Sequence, residues 1–143
     1  MAHPDLDELL NHLLPFAIET LQKHGEFYPF GASMRTDSTI ATVYAQTGDE
    51  HPPSQDLIDM IVQGLHKQAE HGEIRACGIC LDVRTIPPGE TEKTDAVCAR
   101  LEHAQGEAVD VFLPYRKDDD GEFSFGELFA APAERDVFGS DAT

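Results

Sequence analysis

Two cysteines stand three residues apart in Cys77-Gly78-Ile79-Cys80, the spacing of a redox or metal-binding pair. Redox chemistry needs the first thiol at a helix N-terminus, where the dipole lowers its pKa. Here the run continues Leu81-Asp82-Val83-Arg84, which reads as a strand, and side chains three apart on a strand point to opposite faces. The two sulfurs are expected to diverge. Zinc would need a second ligand pair at fitting spacing, and Cys98 has no such neighbour. Core cysteines are the expectation.

The seven histidines give no better ligand set. His66 and His71 are five apart, whereas two ligands on one helical face need a spacing of four. His3, His12, His24 and His51 read as surface or cap positions, so a metal site would have to be assembled from distant segments. Asp118-Asp119-Asp120-Gly121 with Glu127 resembles part of a calcium loop, but its first position is Arg116, where a carboxylate is required. A hairpin turn accounts for it better. No GxSxG, HExxH, GxxxxGK[ST] or GxGxxG is present. Asp82 and Asp110 are a possible acid–base pair, although Arg84 and Arg100 would more simply hold them in salt bridges. No catalytic residue, metal or cofactor is assigned.

Two aromatic segments are more specific. Phe27-Tyr28-Pro29-Phe30-Gly31 packs three rings around a proline, and Leu113-Pro114-Tyr115 matches Phe123-Ser124-Phe125-Gly126-Glu127 near the last hairpin. Packing of the first hairpin onto the last, as a second small core, is the plain explanation. The functional alternative is a small-molecule binder or a minor enzyme, its pocket lined by Phe27, Tyr28, Phe30, Tyr115 and Phe125, with Arg116 and Glu127 at the rim.

The elements that position these groups follow from periodicity. Leu6, Leu9, Leu10, Leu13, Ala17 and Leu21 make one apolar stripe and predict a helix from Leu6 to His24. Asp5 is its expected N-cap, with Glu8 completing a capping box, Gly25 its stop and Pro15 a kink or split. Strands follow at Phe27–Met34 and Thr39–Gln46, and the loop from Thr47 to Pro53 ends the pair. Ser54 is expected to cap a second helix running to Glu70, with Gly72 beyond its end. Further strands are predicted at Ile74–Thr85, Asp95–His103, Glu107–Tyr115 and Glu122–Ala130, joined by turns. The order is α-β-β-α-β-β-β-β. It predicts a single α+β domain over residues 1–143: one mostly antiparallel sheet, both helices on one face, and a tail over 130–143 anchored by Val137 and Phe138.

Alternation assigns strand faces. Cys77, Ile79, Leu81 and Val83, with Val97, Ala99 and Leu101 and with Val109, Val111 and Leu113, are expected to form the large aliphatic face under the helices. The opposite face would mix small residues with Asp82, Arg84, Arg100, Glu102 and Asp110. A solvated sheet face is the plain outcome. A self-association surface on those five residues, giving a homodimer, is the functional one.

Composition narrows the class. The chain has 143 residues and an apolar fraction of 41%, enough for a core without staples. An odd number of cysteines and the absence of a signal-like N-terminus predict the cytoplasm. Twenty-seven acidic residues against ten Lys plus Arg give a net charge of −17. That field repels nucleic acid and anionic lipid, so neither is an expected partner, and it attracts a basic protein. Solubility or a saline habitat would equally account for it. The FYPFG, VFLPY and FGELF segments resemble an uncharacterised family of small acidic bacterial proteins, a resemblance that implies no activity. The leading expectation is a non-catalytic acidic interaction module, immunity or antitoxin-like, that self-associates as a homo-oligomer and binds a basic protein.

Overall fold

The computed structural model describes residues 3–45 and 53–138. Residues 46–52, including Gln46 at the end of the expected second strand and His51, and residues 139–143 of the expected tail lie outside the described residues. Helix α1 spans Pro4–His24 and α2 spans Ser54–Glu70. The strands are β1 Phe30–Arg35, β2 Ile40–Val43, β3 Ile74–Thr85, β4 Thr94–His103, β5 Ala108–Lys117, β6 Phe123–Phe125 and β7 Phe129–Pro132.

Helix α1 runs unbroken through Pro15. A proline inside a helix costs about 3 kcal/mol. Leu6, Leu9, Leu13, Leu14 and Leu21 are all buried along one stripe, each worth about 1.5–3 kcal/mol, so continuous burial outweighs the defect. The cap also differs from expectation. His3 accepts the Asp5 N–H at 3.1 Å, and Asp5 sits inside the first turn because its carboxylate is engaged elsewhere. Gly25 does stop the helix, at φ +78°. Ser54 is the first helical residue of α2, and Pro53 precedes it without a side-chain cap.

All strand pairs are antiparallel, in the order β2-β1-β3-β4-β5-β6, with β7 also on β5. The α+β class and the element order agree with the sequence. The helix placement does not: α1 and α2 lie on opposite faces. Leu6 to Leu21 of α1 pack with Phe30, Ala32, Ala76, Cys80, Ala99 and Leu101, whereas Ile61 and Leu65 of α2 pack with Cys77, Ile79 and Leu81. Register is the reason. Gly78 opposes Leu101 and Cys80 opposes Ala99, so the small residues of β3 share a face with the large ones of β4. A Cβ at Gly78 would lie 2.7 Å from Leu13 Cδ1, which shows how closely α1 approaches that strand. On the other face a Cβ at Gly31 would lie 3.2 Å from Ile61 Cγ2 of α2.

The expected final strand Glu122–Ala130 is two strands. Phe125 opposes Tyr115 and Phe129 opposes Phe112, so three residues face two and one is extra. Pro114 has no N–H for the ladder, and its carbonyl accepts the Gly126 N–H at 2.8 Å. Residues 130–132 therefore belong to the sheet and not to a tail. Val137 is buried in the α2 cluster, with Phe138 packed against it.

Candidate functional site

The five residues expected on one exposed surface are divided between both faces. Asp82 and Arg84 lie on the α1 side, where the Tyr115 hydroxyl donates to Asp82 Oδ1 at 2.8 Å and Arg84 meets Asp95 at 3.6 Å. Burial pushes the Asp82 carboxyl up, opposed by that hydrogen bond, and burial likewise raises the Tyr115 hydroxyl. Arg100, Glu102 and Asp110 lie on the α2 side. Arg100 Nε donates to Asp110 Oδ1 at 3.1 Å, and its guanidinium also meets Asp136 at 3.6 Å. Asp82 and Asp110 stand on opposite sides of the sheet and cannot act as an acid–base pair.

Glu102 is buried beneath the chain that follows β7. Its carboxylate accepts the Val137 N–H at 3.0 Å and the Phe138 N–H, while His66 Nδ1 bonds the Val137 carbonyl at 2.8 Å. Arg135 donates to the His103 carbonyl at 3.2 Å. These contacts hold residues 135–138 against the surface that sequence alternation left open.

The aromatic set is also split. Tyr115, Arg116, Phe125 and Glu127 line one cleft of about 400 Å³, walled by Pro87, Pro88 and Pro114 and shaped by the extra residue between β6 and β7. Arg116 meets Glu90 at 3.7 Å across its mouth. Phe27 and Phe30 are buried in the main α1 core, 6.1 Å apart edge to face, and do not line this cleft. Tyr28 is partly exposed and is not among its lining residues. Among the described residues the two aromatic segments build no small core of their own, because both join the α1 cluster.

The three cysteines are buried thiols. Cys77 lies in the α2 cluster and Cys80 in the α1 cluster, so the CxxC sulfurs diverge across the sheet. Burial raises all three thiols, Cys98 to about 12, which removes thiolate chemistry at neutral pH.

Distant groups do converge at the start of α1. His103 Nε2 lies 2.8 Å from Asp5 Oδ2, and Arg75 reaches the same carboxylate from Nε at 3.1 Å and from its terminal nitrogen at 3.2 Å. The His3 ring stacks on His103 at 4.0 Å, and the His3 N–H donates to Glu107 at 3.1 Å. Ligand atoms of His3, Asp5 and His103 fall within 4.8 Å of one another, close enough to test against a metal. The donor chemistry opposes one. His103 Nδ1 accepts the Gln105 N–H at 3.1 Å, so Nε2 carries the hydrogen that goes to Asp5 and has no lone pair to offer. The Arg75 guanidinium adds a fixed positive charge at the same oxygen. The same tautomer denies His103 a role as general base, since both nitrogens are engaged. The cluster is a polar lock tying α1 to β3 and β4. The His103 hydrogen bond holds the Asp5 carboxyl below its ordinary value, helped by Arg75 against the effect of burial.

A second surface feature carries no signal in the motifs. Between α1 and the sheet edge, a groove of about 500 Å³ is lined by Pro15, Phe16 and Glu19 of the helix and by Thr42 and Tyr44 at β2. Phe16 and Tyr44 are exposed by 42% and 60%, large values for aromatic rings, and both rest on buried Phe30. Among the described residues β2 pairs with β1 alone. No described helix is long and apolar enough to cross a membrane. No protein-family model, curated protein or solved structure matches this chain.

Proposed function

We propose that this protein is a non-catalytic acidic interaction module, immunity or antitoxin-like, that acts in the cytoplasm by binding a basic protein. The observation that carries this reading is the charge of −17 together with where the few cations go. Lys23, Arg75, Arg84, Arg100 and Arg116 each meet a carboxylate of the same chain. Half of the ten basic residues are thus held in internal pairs, and most of the 27 acidic groups are left to present a negative field. Such a field raises the encounter rate with a positive partner and discriminates against acidic ones. The polar clusters that resemble catalytic sites have their donors and acceptors already matched, which favours binding over chemistry. Capture from lysate at about 0.1 M and about 1 M salt tests it, since screening shortens the reach of charge from about 10 Å to about 3 Å. A stoichiometric basic protein retained only at low salt, and rebinding after purification, supports the module.

The cleft at Tyr115 favours a second reading, a small-molecule binder, because four of the expected residues line one concavity there. A ligand raising the melting temperature would do so through Arg116 and Glu127. Arg116→Ala and Glu127→Ala should then abolish the shift without unfolding the domain. A shift that survives both places the ligand elsewhere.

A further inference from the structure

We propose that the outer edge of β2 is the docking site, and that its occupant is an extended segment of the partner in which apolar residues alternate with Lys or Arg. The inference rests on the acidic-module reading and names its surface.

Among the described residues, nothing bonds the backbone at this edge. Arg35 N–H bonds the Thr39 carbonyl at 2.8 Å, and opposed residues in an antiparallel pair alternate between bonded and non-bonded. Ala41 faces Ser33 and Val43 faces Gly31, so Thr39, Ala41 and Val43 direct their backbone groups to β1. Ile40 and Thr42 therefore turn N–H and C=O outward. Edge strands are commonly blunted by charge, proline or bulges. Thr39-Ile40-Ala41-Thr42-Val43-Tyr44-Ala45 has no proline and no charged residue, in a chain where 26% of residues are charged.

The adjoining groove supplies a place for side chains. A strand added to β2 sets the residue opposite Thr42 on the α1 side, beside Phe16 and Tyr44, because direct cross-strand partners share a face. Apolar side chains fit those two rings. Charge selects among occupants. Asp37 is exposed at the turn before β2, and Glu19 at the groove is shared with Lys23 at 3.7 Å, so the net charge of the chain sets the sign of the field there. Two copies of a −17 chain repel, whereas a strand bearing Lys or Arg is attracted.

The probe is a short synthetic peptide alternating lysine with phenylalanine and valine, titrated into the isotopically labelled protein. Binding should shift the Ile40 and Thr42 amides, protect both from exchange and weaken with salt. A glutamate-for-lysine version should not bind. Thr42→Pro removes one outward N–H, together with the 2.9 Å hydrogen bond between Thr42 Oγ1 and His12 Nε2 at the groove, without touching the β1 ladder, and Tyr44→Ser removes an exposed ring. The two together should weaken binding by about tenfold or more with the fold retained. Should the proline variant unfold, Tyr44→Ser alone decides. Salt-sensitive binding that ignores these substitutions overturns the docking site and leaves the acidic module standing. Failure of every basic probe to bind anywhere overturns both. A dimer abolished by the same substitutions overturns the proposed occupant in favour of a second copy.

Discussion

The His103 imidazole gives its Nε2 hydrogen to the Asp5 carboxylate across 2.8 Å, joining the end of β4 to the first turn of α1. The two residues are 98 positions apart in the chain. Replacing Asp5 with Ala leaves a buried imidazole donor unpaired and detaches Arg75 from the helix. The expected cost is about 1–3 kcal/mol by denaturant titration at neutral pH.

The same pair predicts a pH dependence. The native state holds the Asp5 carboxyl below its ordinary value, so the native state gives up this proton more readily than the unfolded chain. Its contribution is full above the unfolded value of about 4 and fades as pH falls through the depressed native one. The stability gap between wild type and Asp5→Ala should therefore narrow on acidification. A constant gap down to about pH 2 would remove the carboxylate from the explanation.

Asp82 carries the opposite sign. Burial raises its carboxyl, so the ionised form weakens the fold, and this loss grows as pH rises from about 4 through the raised native value. Asp82→Asn keeps an oxygen to accept the Tyr115 hydroxyl. It should be more stable than wild type at pH 7, with the difference narrowing as pH falls toward about 4. A destabilised Asn variant at pH 7 would show that the charge itself strengthens the bond to Tyr115.

Gly78 tests how closely α1 sits on the sheet. An added methyl meets Leu13 at 2.7 Å and Leu101 at 2.9 Å, both fully buried. Overpacking of this kind costs about 1–3 kcal/mol, and thermal melts of Gly78→Ala should show it. Gly64, whose Cβ would meet nothing within 4 Å, is the control: Gly64→Ala should be neutral or stabilising.

Glu102 anchors residues 137 and 138 through its buried carboxylate. Glu102→Ala should free the Val137 and Phe138 amides to exchange while β3 and β4 stay protected. Protection that persists at Val137 would assign the anchoring to His66 and Arg135 instead.

Much of the fold was legible along each strand and helix, and little of it between them. The leucine stripe gave α1, and period-two alternation gave β3 with its bounds intact. What alternation lacks is phase: nothing in the sequence says that Cys77 opposes Glu102 and not Leu101, and that one-residue step moved α2 to the other face. The same step separated Asp82 from Asp110. The cleft was half legible, because Tyr115 and Phe125 are cross-strand partners within one hairpin, whereas Phe30 opens β1, with two strands between it and β5, and Tyr28 precedes it outside the sheet. The His3, Asp5, Arg75 and His103 cluster had no local spacing to betray it. The groove at Tyr44 did leave a trace, an uncharged strand-like run in a heavily charged chain.

Salt-graded capture is the most direct measurement of what this protein does. A basic protein held in stoichiometric amount at about 0.1 M salt, released at about 1 M and rebinding once purified is the expected result. Capture that is empty at low salt, or indifferent to salt, would contradict an acidic interaction module and turn attention to ligands of the Tyr115 cleft.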